Sequence, residues 1–224
     1  MKVSVACRPH FLTNIKMNSD SSTSDTGHKA SAVFDFIVYE VKETLALITI
    51  NRPEKHNAIS LQTLSELQAA VGLAGTDEAV RVVAITGAGG RSFASGSDLN
   101  EVMHRDLKKA LEPIVQGLAQ QLEELPKSTI AAIDGICMGG GLEIALGCDM
   151  RICAKGSRFG TPEGKLGIIP GGGATVRLPR IVGRGWAMEM MLMGEPILSL
   201  ILICRFRRSY ACRSFKTVAP IAQD

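Results

Sequence analysis

The sequence predicts a single α/β domain built on a parallel sheet. In the segment 129–170, an apolar run of strand length, a short helix and a second strand follow one another. The run 80–86 is apolar almost throughout, which is typical of a strand buried on both faces of a parallel sheet. With 224 residues, 46% of them hydrophobic, the chain can bury a sizeable core.

Composition excludes several classes of protein. The net charge of +3 is too small to indicate nucleic-acid binding. The six cysteines form no CxxC pair and no metal-ligand spacing, and we therefore predict no metal site. Three of them, Cys137, Cys148 and Cys153, lie in apolar runs, which predicts buried, reduced, intracellular thiols.

The first 32 residues are polar and rich in Ser, Thr and Asp, and we predict a disordered leader over 1–32. Basic residues without an acid before Asp20 suggest a transit peptide, but repeated arginines and an amphipathic face are lacking. We therefore expect a cytoplasmic location, with the mitochondrion as the alternative. Translation could start at Met1 or at Met17.

The next elements are a hairpin and a helix. The β-rich runs within 34–50 are joined at 42–44, which predicts a β-hairpin. A polar loop then leads to a helix with Ser60 as its N-cap and apolar residues on one face. His56 in that loop is given no chemical role, because a loop histidine is more often solvated than catalytic.

Glycines and small residues follow the strand at 80–86. The TGAGG sequence lacks the GxGxxG spacing of a dinucleotide-binding loop, and no suitably placed acid follows it. We expect 93–99 to form a loop of small residues before a helix. Because Ser95 and Ser97 have no recognisable His/Asp partner, we predict no serine nucleophile.

A longer helix is predicted over 107–125, ending at Pro126.

Three consecutive glycines begin the helix inside the segment 129–170. Gly139, Gly140 and Gly141 leave free N–H groups at the positive end of the helix dipole, and Gly147 is expected to cap its other end. One such donor to a developing oxyanion is worth about 3–4 kcal/mol in known enzymes. The alternative is that these glycines only permit tight packing between helix and strand.

Two carboxylates are predicted to meet near these glycines. Glu143 lies on the helix and Glu163 in the loop after the second strand. Both positions follow the carboxyl ends of neighbouring parallel strands, where open α/β sheets bind ligands. The two side chains are therefore expected to share one cleft.

The chain resembles the enoyl-CoA hydratase/isomerase (crotonase) superfamily in several motifs that occur in family order. They are NRPEKHNAIS, ITGAGGRSFASGSDLNEV, IAAIDGICMGGGLEIALGCDMRIC, FGTPEGKLGIIPGGGATVRLPRIVG and MLMGEP. The resemblance implies a crotonase-like spiral of ββα units over 33–196 and a coenzyme A thioester as substrate. It implies no cofactor, because coenzyme A is part of the substrate, and no nucleic-acid partner.

The resemblance also implies roles for individual residues. Glu143 and Glu163 match the acid/base pair of the hydratases. The backbone N–H groups of Ser97 and Gly140 match the oxyanion hole, although the family usually has Ala where this chain has Ser97. The substrate-binding residues it implies are Ala58, Ala94, Ser95, Gly96, Asp98, Leu99 and Pro162.

These correspondences favour hydration of a 2-enoyl-CoA, a reaction of fatty acid or related acyl-CoA breakdown. Two alternatives stay open: an isomerase that uses mainly Glu163, and a non-catalytic remnant that binds acyl-CoA. The sequence does not identify the acyl chain length or the pathway.

The resemblance ends near Pro196, and 197–224 reads as a divergent tail. We expect the family's C-terminal trimerisation helices to be missing here, which leaves the homotrimers or hexamers of the family in doubt. The apolar run 198–204 is too short to span a membrane. To explain the tail, we hypothesise that the reading frame or the exon structure departs from the family near Ile197 and leaves a truncated protein.

Overall fold

A computed structural model of the protein describes residues 34–104 and 114–199. The predicted leader 1–32, the first residues of the helix predicted over 107–125 and the tail after residue 199 lie outside the described residues.

The larger sheet has five strands and contains the predicted hairpin. The strands are β1 (Ile37–Lys42), β2 (Leu45–Ile50), β3 (Val82–Gly87), β5 (Ser128–Ile133) and β7 (Met150–Cys153), in the order β1-β2-β3-β5-β7. The hairpin β1–β2 is antiparallel, and Glu43 in its turn has a φ of 54°. All other neighbours in this sheet are parallel, as the sequence predicts.

A second sheet consists of short strands that the sequence prediction missed. They are β4 (Ser92–Ala94), β6 (Ile136–Met138), β8 (Arg158–Gly160) and β9 (Ile197–Leu198), in the order β4-β6-β8-β9. The first three strands are parallel, and β9 pairs antiparallel with β8. The expectation of a loop starting at Phe93 is wrong, because Phe93 and Ala94 belong to β4. Strands of three residues are too short to display an alternating pattern.

Six helices and two 3-10 helices lie in the described residues. The helices are α1 (Leu61–Thr76), α2 (Leu99–Met103), α3 (Ile114–Glu124), α4 (Gly140–Gly147), α5 (Ala174–Val182) and α6 (Arg184–Met193), and the 3-10 helices are Pro53–Lys55 and Pro162–Leu166. Ser60 is the N-cap of α1, as predicted, and its hydroxyl accepts a hydrogen bond of 3.1 Å from the Thr63 N–H.

The chain repeats one order of elements: a strand of the larger sheet, a short strand of the second sheet, then a helix. Segments β3-β4-α2, β5-β6-α4 and β7-β8-α5 each follow this order. A hydrophobic core joins the larger sheet to α1, α3 and α4. The predicted spiral of ββα units is confirmed.

The buried cysteines agree with the sequence prediction. Cys137, Cys148 and Cys153 are all buried, as predicted. Burial raises the pKa of the Cys148 thiol to about 12, so this thiol stays protonated at neutral pH.

The end of α4 differs from the prediction. Gly147 is the last helical residue rather than the cap, and Cys148 is the C-cap in an extended conformation. The Arg151 guanidinium donates hydrogen bonds to the carbonyls of Ala145 and Leu146, at 3.0 and 3.4 Å. Glycine is required at 147 because a Cβ there would lie 2.8 Å from the backbone of Ala119 on α3.

The start of α4 is packed as tightly as its end. A Cβ on Gly141 would lie 2.6 Å from the Ala94 carbonyl oxygen and 2.7 Å from the Ala94 side chain. The helix therefore contacts β4 at backbone distance, which fixes the position of its first turn.

We expect Gly141→Ala to lower the free energy of unfolding by about 1–3 kcal/mol, the usual cost of overpacking. Gly185→Ala is the matched control, because Gly185 lies in α6 and a Cβ there would meet nothing within 4 Å. The control should gain up to about 1 kcal/mol from helix propensity. Chemical denaturation measures both, and equal stability of the two variants would contradict the packing described here.

Candidate active site

The two predicted carboxylates are carried by elements that follow neighbouring strands. Glu143 lies on α4, which follows β6, and Glu163 lies in the 3-10 helix that follows β8. Strands β6 and β8 are parallel neighbours, so their carboxyl ends reach the same edge of the sheet. The sequence prediction used 130–133 and 150–153 for this argument, and the structure replaces them with the short strands of the second sheet.

Ser97 lies in a backbone bridge that leaves its own N–H free. It forms a parallel bridge with Ile59, in which the Ile59 N–H bonds to the Gly96 carbonyl at 2.8 Å and the Asp98 N–H to the Ile59 carbonyl at 2.9 Å. On the Ser97 side of this parallel bridge the flanking residues Gly96 and Asp98 make the hydrogen bonds, so the Ser97 N–H points away from Ile59. A Cβ on Gly140 would lie 3.6 Å from the Ser97 nitrogen.

Gly140 provides a second free donor beside the first. It is the first residue of α4, so its N–H has no acceptor within the helix. Within the described ranges, no backbone hydrogen bond is donated by Ser97 or by Gly140. Two unused N–H groups are thus neighbours at the positive end of a helix.

Glu143 is buried and held by a loop. It is 3% exposed, and its Oε1 accepts hydrogen bonds from the N–H groups of Gly172 at 2.7 Å and Ala174 at 3.0 Å. A side chain on Gly172 would overlap the Glu143 carboxylate and Val115. Because Oε1 is occupied as an acceptor, a proton on this carboxyl group belongs on Oε2.

Glu163 lies against the first of the three glycines. A Cβ on Gly139 would lie 2.9 Å from its Oε1. Its Oε2 is buried and has no hydrogen-bond partner among the described residues. A buried carboxylate oxygen without a partner is costly, and this oxygen is available to a water molecule or a ligand.

The pKa values of both carboxyl groups are raised, and Glu163 contributes to the shift of Glu143. Burial raises the pKa of Glu143 to about 7; the Ala174 N–H opposes this rise, and the nearby Glu163 carboxylate adds to it. Burial also raises the pKa of Glu163. Near neutral pH the pair can therefore hold a proton while one member is ionised, as an acid/base pair requires.

The residues predicted to bind substrate fall into two places. Ser95, Gly96, Asp98 and Leu99 flank Ser97, with Ala94 before them at the end of β4 and Ala58 beside the bridge at Ile59. Leu99 is 53% exposed at the start of α2. Pro162 lies apart from this group, next to Glu163 at the start of the 3-10 helix. Their roles in binding stay predictions.

Two buried residues that organise the loops were missed. The Asn57 side chain donates to the carbonyls of Ala88 and Ser92, at 3.0 and 2.7 Å, and accepts from the Arg52 N–H at 3.0 Å. The Arg52 guanidinium bonds to the Ala58 carbonyl at 2.6 Å and lies 3.4 Å from Asp98 Oδ2. A polar loop residue carries no local signal that it is buried, so only the three-dimensional contacts identify these two.

A third missed residue supports Glu143. Arg177 donates to both oxygens of Glu123, at 2.8 and 2.7 Å, and to the Gly172 carbonyl at 3.1 Å. It thereby ties the loop that binds Glu143 to α3.

We also searched the described residues for cavities, metal sites and membrane-spanning helices. A mainly apolar cavity of about 520 Å³ is lined by residues of 164–192, including Ile168, Ile169, Met188 and Leu192, and contains none of the predicted site residues. Among residues 34–104 and 114–199 we find no group of side chains that could hold a metal ion. Nor is any helix there long and apolar enough to cross a membrane.

Comparison with known proteins places the chain in a family. Residues 40–199 match the family model of enoyl-CoA hydratase/isomerase. Over 166 residues the chain is 40% identical to a crotonyl-CoA hydratase of Syntrophomonas wolfei, covering 73% of this chain and 64% of that protein. Over 163 residues it is 39% identical to a short-chain-enoyl-CoA hydratase of Clostridium acetobutylicum, covering 72% and 62%.

Solved structures agree with the sequence matches. The crystal structure of an enoyl-CoA hydratase from Bacillus anthracis superposes with a TM-score of 0.73 at 33% identity, covering 82% of this chain and 71% of that chain. The matched part of this chain covers less than two thirds of the length of the two hydratases from Syntrophomonas wolfei and Clostridium acetobutylicum.

We expect Glu143→Gln to become more stable relative to the parent as the pH rises. The pKa of Glu143 is about 7 in the fold, against an ordinary value of 4.5. The parent's free energy of unfolding is therefore unaffected by this group below pH 4.5 and falls as the pH rises from 4.5 to about 7. Over that window the loss is about 3 kcal/mol. The glutamine oxygen can accept the same two N–H bonds and never ionises.

Chemical denaturation of parent and variant at several pH values measures this difference. Glu54→Gln, at an exposed position, is the control for the substitution itself. A difference between Glu143→Gln and the parent that stays constant from pH 4.5 to 8 would contradict the described burial of Glu143.

Proposed function

The chain belongs to the enoyl-CoA hydratase/isomerase family, and from this premise we propose that it adds water across the 2,3 double bond of an enoyl-CoA thioester. The observation that carries the proposal is the convergence of the buried Glu143 carboxyl group, the half-buried Glu163 carboxyl group and two free N–H donors around Gly139–Gly141. The product would be the 3-hydroxyacyl-CoA.

The proposed role of the donors is to bind the thioester carbonyl oxygen. When water attacks the β-carbon of the enoyl group, negative charge develops on that oxygen. The N–H groups of Ser97 and Gly140 are fixed before substrate binds, because one belongs to a bridged loop and the other to the first turn of α4. Fixed donors stabilise developing charge without reorganisation.

The proposed role of the carboxyl groups is to hold and activate the water. One of the pair removes a proton from the water as its oxygen bonds to the β-carbon, and a proton is delivered to the α-carbon. The atoms suited to this are the unpartnered Oε2 of Glu163 and the Oε2 of Glu143, which the loop at 172–174 leaves unbound. This chemistry uses no cofactor beyond the coenzyme A of the substrate.

Isomerisation of the double bond is the second candidate, and one observation favours it. A single carboxylate can move a proton between two carbons, and the Oε2 of Glu163 is buried without a partner. In that reaction Glu143 would only support the site.

Location and assembly belong to the same proposal. We expect the cytoplasm, with the mitochondrion as alternative, since relatives include bacterial proteins and proteins named as mitochondrial. Cell fractionation tests the location. The resemblance implies homotrimers or hexamers, and analytical ultracentrifugation measures whether this chain forms them.

Glu143→Gln and Glu163→Gln should each lower kcat for crotonyl-CoA hydration by about 10²–10⁴-fold, the usual contribution of a general acid or base. The loss of ultraviolet absorbance of the conjugated thioester measures hydration. Glu189→Gln, on the exposed face of α6, is the matched control and should retain the parent rate.

The same variants separate the candidate functions. Dependence on both carboxylates supports hydration, whereas dependence on Glu163 alone, with double-bond migration as the product, supports isomerisation. A parent that binds acyl-CoA without turnover contradicts both and supports the non-catalytic remnant.

A further inference from the structure

Arg52 is a buried arginine outside the proposed acid/base pair, and its contacts converge on the loop that carries Ser97. Only 5% of the residue is exposed. Its guanidinium bonds to the Ala58 carbonyl at 2.6 Å and pairs with Asp98 at 3.4 Å. The ring centroid of Phe36 lies 4.8 Å from its Cζ. A guanidinium held by three groups is fixed in orientation.

The two residues joined by Arg52 flank the bridge that orients Ser97. Ala58 precedes Ile59, and Asp98 follows Ser97. The bridge bonds between these two loops are 2.8 and 2.9 Å long. Because the bridge determines where the Ser97 N–H points, any separation of the loops turns this N–H away from its place beside Gly140.

We infer that Arg52 is a positioning residue that clamps the two loops and so holds the Ser97 N–H toward the substrate carbonyl. The inference rests on the proposed function, because it concerns the donor proposed to bind the thioester oxygen. The guanidinium of Arg52 bonds to Ala58 and Asp98 and not to Glu143 or Glu163. Its effect on the reaction is therefore transmitted through Asp98 and the bridge. Lysine could satisfy only one of the two partners, because it lacks the planar fork of arginine.

The test is the carbonyl stretching frequency of butyryl-CoA, ¹³C-labelled at the thioester carbon, bound to the protein. Hydrogen bonds to a carbonyl oxygen lower this frequency. We expect a higher frequency in Arg52→Met than in the parent, an intermediate value in Arg52→Lys, and a fall in kcat of roughly 10–100-fold with a much smaller change in KM. Lys42→Met, which removes an exposed ion pair with Glu40, is the control and should match the parent.

A second variant keeps the test decisive if Arg52→Met fails to fold. Arg52→Met/Asp98→Asn removes both buried charges, so neither is left unpaired, while the clamp is still lost. It should show the same raised frequency. An unchanged frequency in a folded, thioester-binding variant overturns the positioning role.

The outcomes distinguish this inference from the proposed function. If the parent does not hydrate crotonyl-CoA but the carbonyl frequency still depends on Arg52, hydration is overturned and the positioning role stands. If the parent hydrates and the frequency is independent of Arg52, only the positioning role is overturned. A parent that binds no thioester overturns both.

Discussion

The lack of space at the start of α4 is the constraint on which the site depends. A Cβ would meet Glu163 at position 139, Ser97 at position 140 and Ala94 at position 141, all within 3.1 Å. Gly141 is required because the atom it would meet belongs to the Ala94 backbone, and Gly139 because its φ is 50°. The structure contains both features that the sequence suggested: Gly141 packs on β4, and the Gly140 N–H lies unused beside that of Ser97. The role of these donors in binding an oxyanion stays a prediction.

Burial raises the pKa of Glu143, and hydrogen bonds to one of its oxygens oppose part of that rise. Glu143 can lie in the interior because two N–H groups of the loop at 172–174 bind one of its oxygens. That loop is held by Arg177, which is itself paired with Glu123 on α3. The protonation of Glu143 therefore depends on the packing of α3 and α5 against α4, as well as on its own surroundings.

The sequence predicted the parts of the fold that carry strong local signals. The hairpin, the capped start of α1 and the apolar strand β3 have such signals, and the structure contains them. The short strands β4, β6 and β8 were missed because three residues show no periodicity, although β6 and β8 bring Glu143 and Glu163 together. The glycine at 147 indicated a helix end but not the contact with Ala119 that requires it. Arg52 and Asn57 were missed because burial of a polar loop residue is a tertiary property.

The most direct test of the account is a crystal structure of the protein with a bound, unreactive acyl-CoA thioester. The account predicts the thioester oxygen at about 2.7–3.1 Å from the backbone nitrogens of both Ser97 and Gly140, with Glu143 and Glu163 on either side of the α- and β-carbons. A thioester bound elsewhere, for example in the apolar cavity beside Ile168 and Leu192, or a Ser97 N–H turned away from the oxygen, would contradict it.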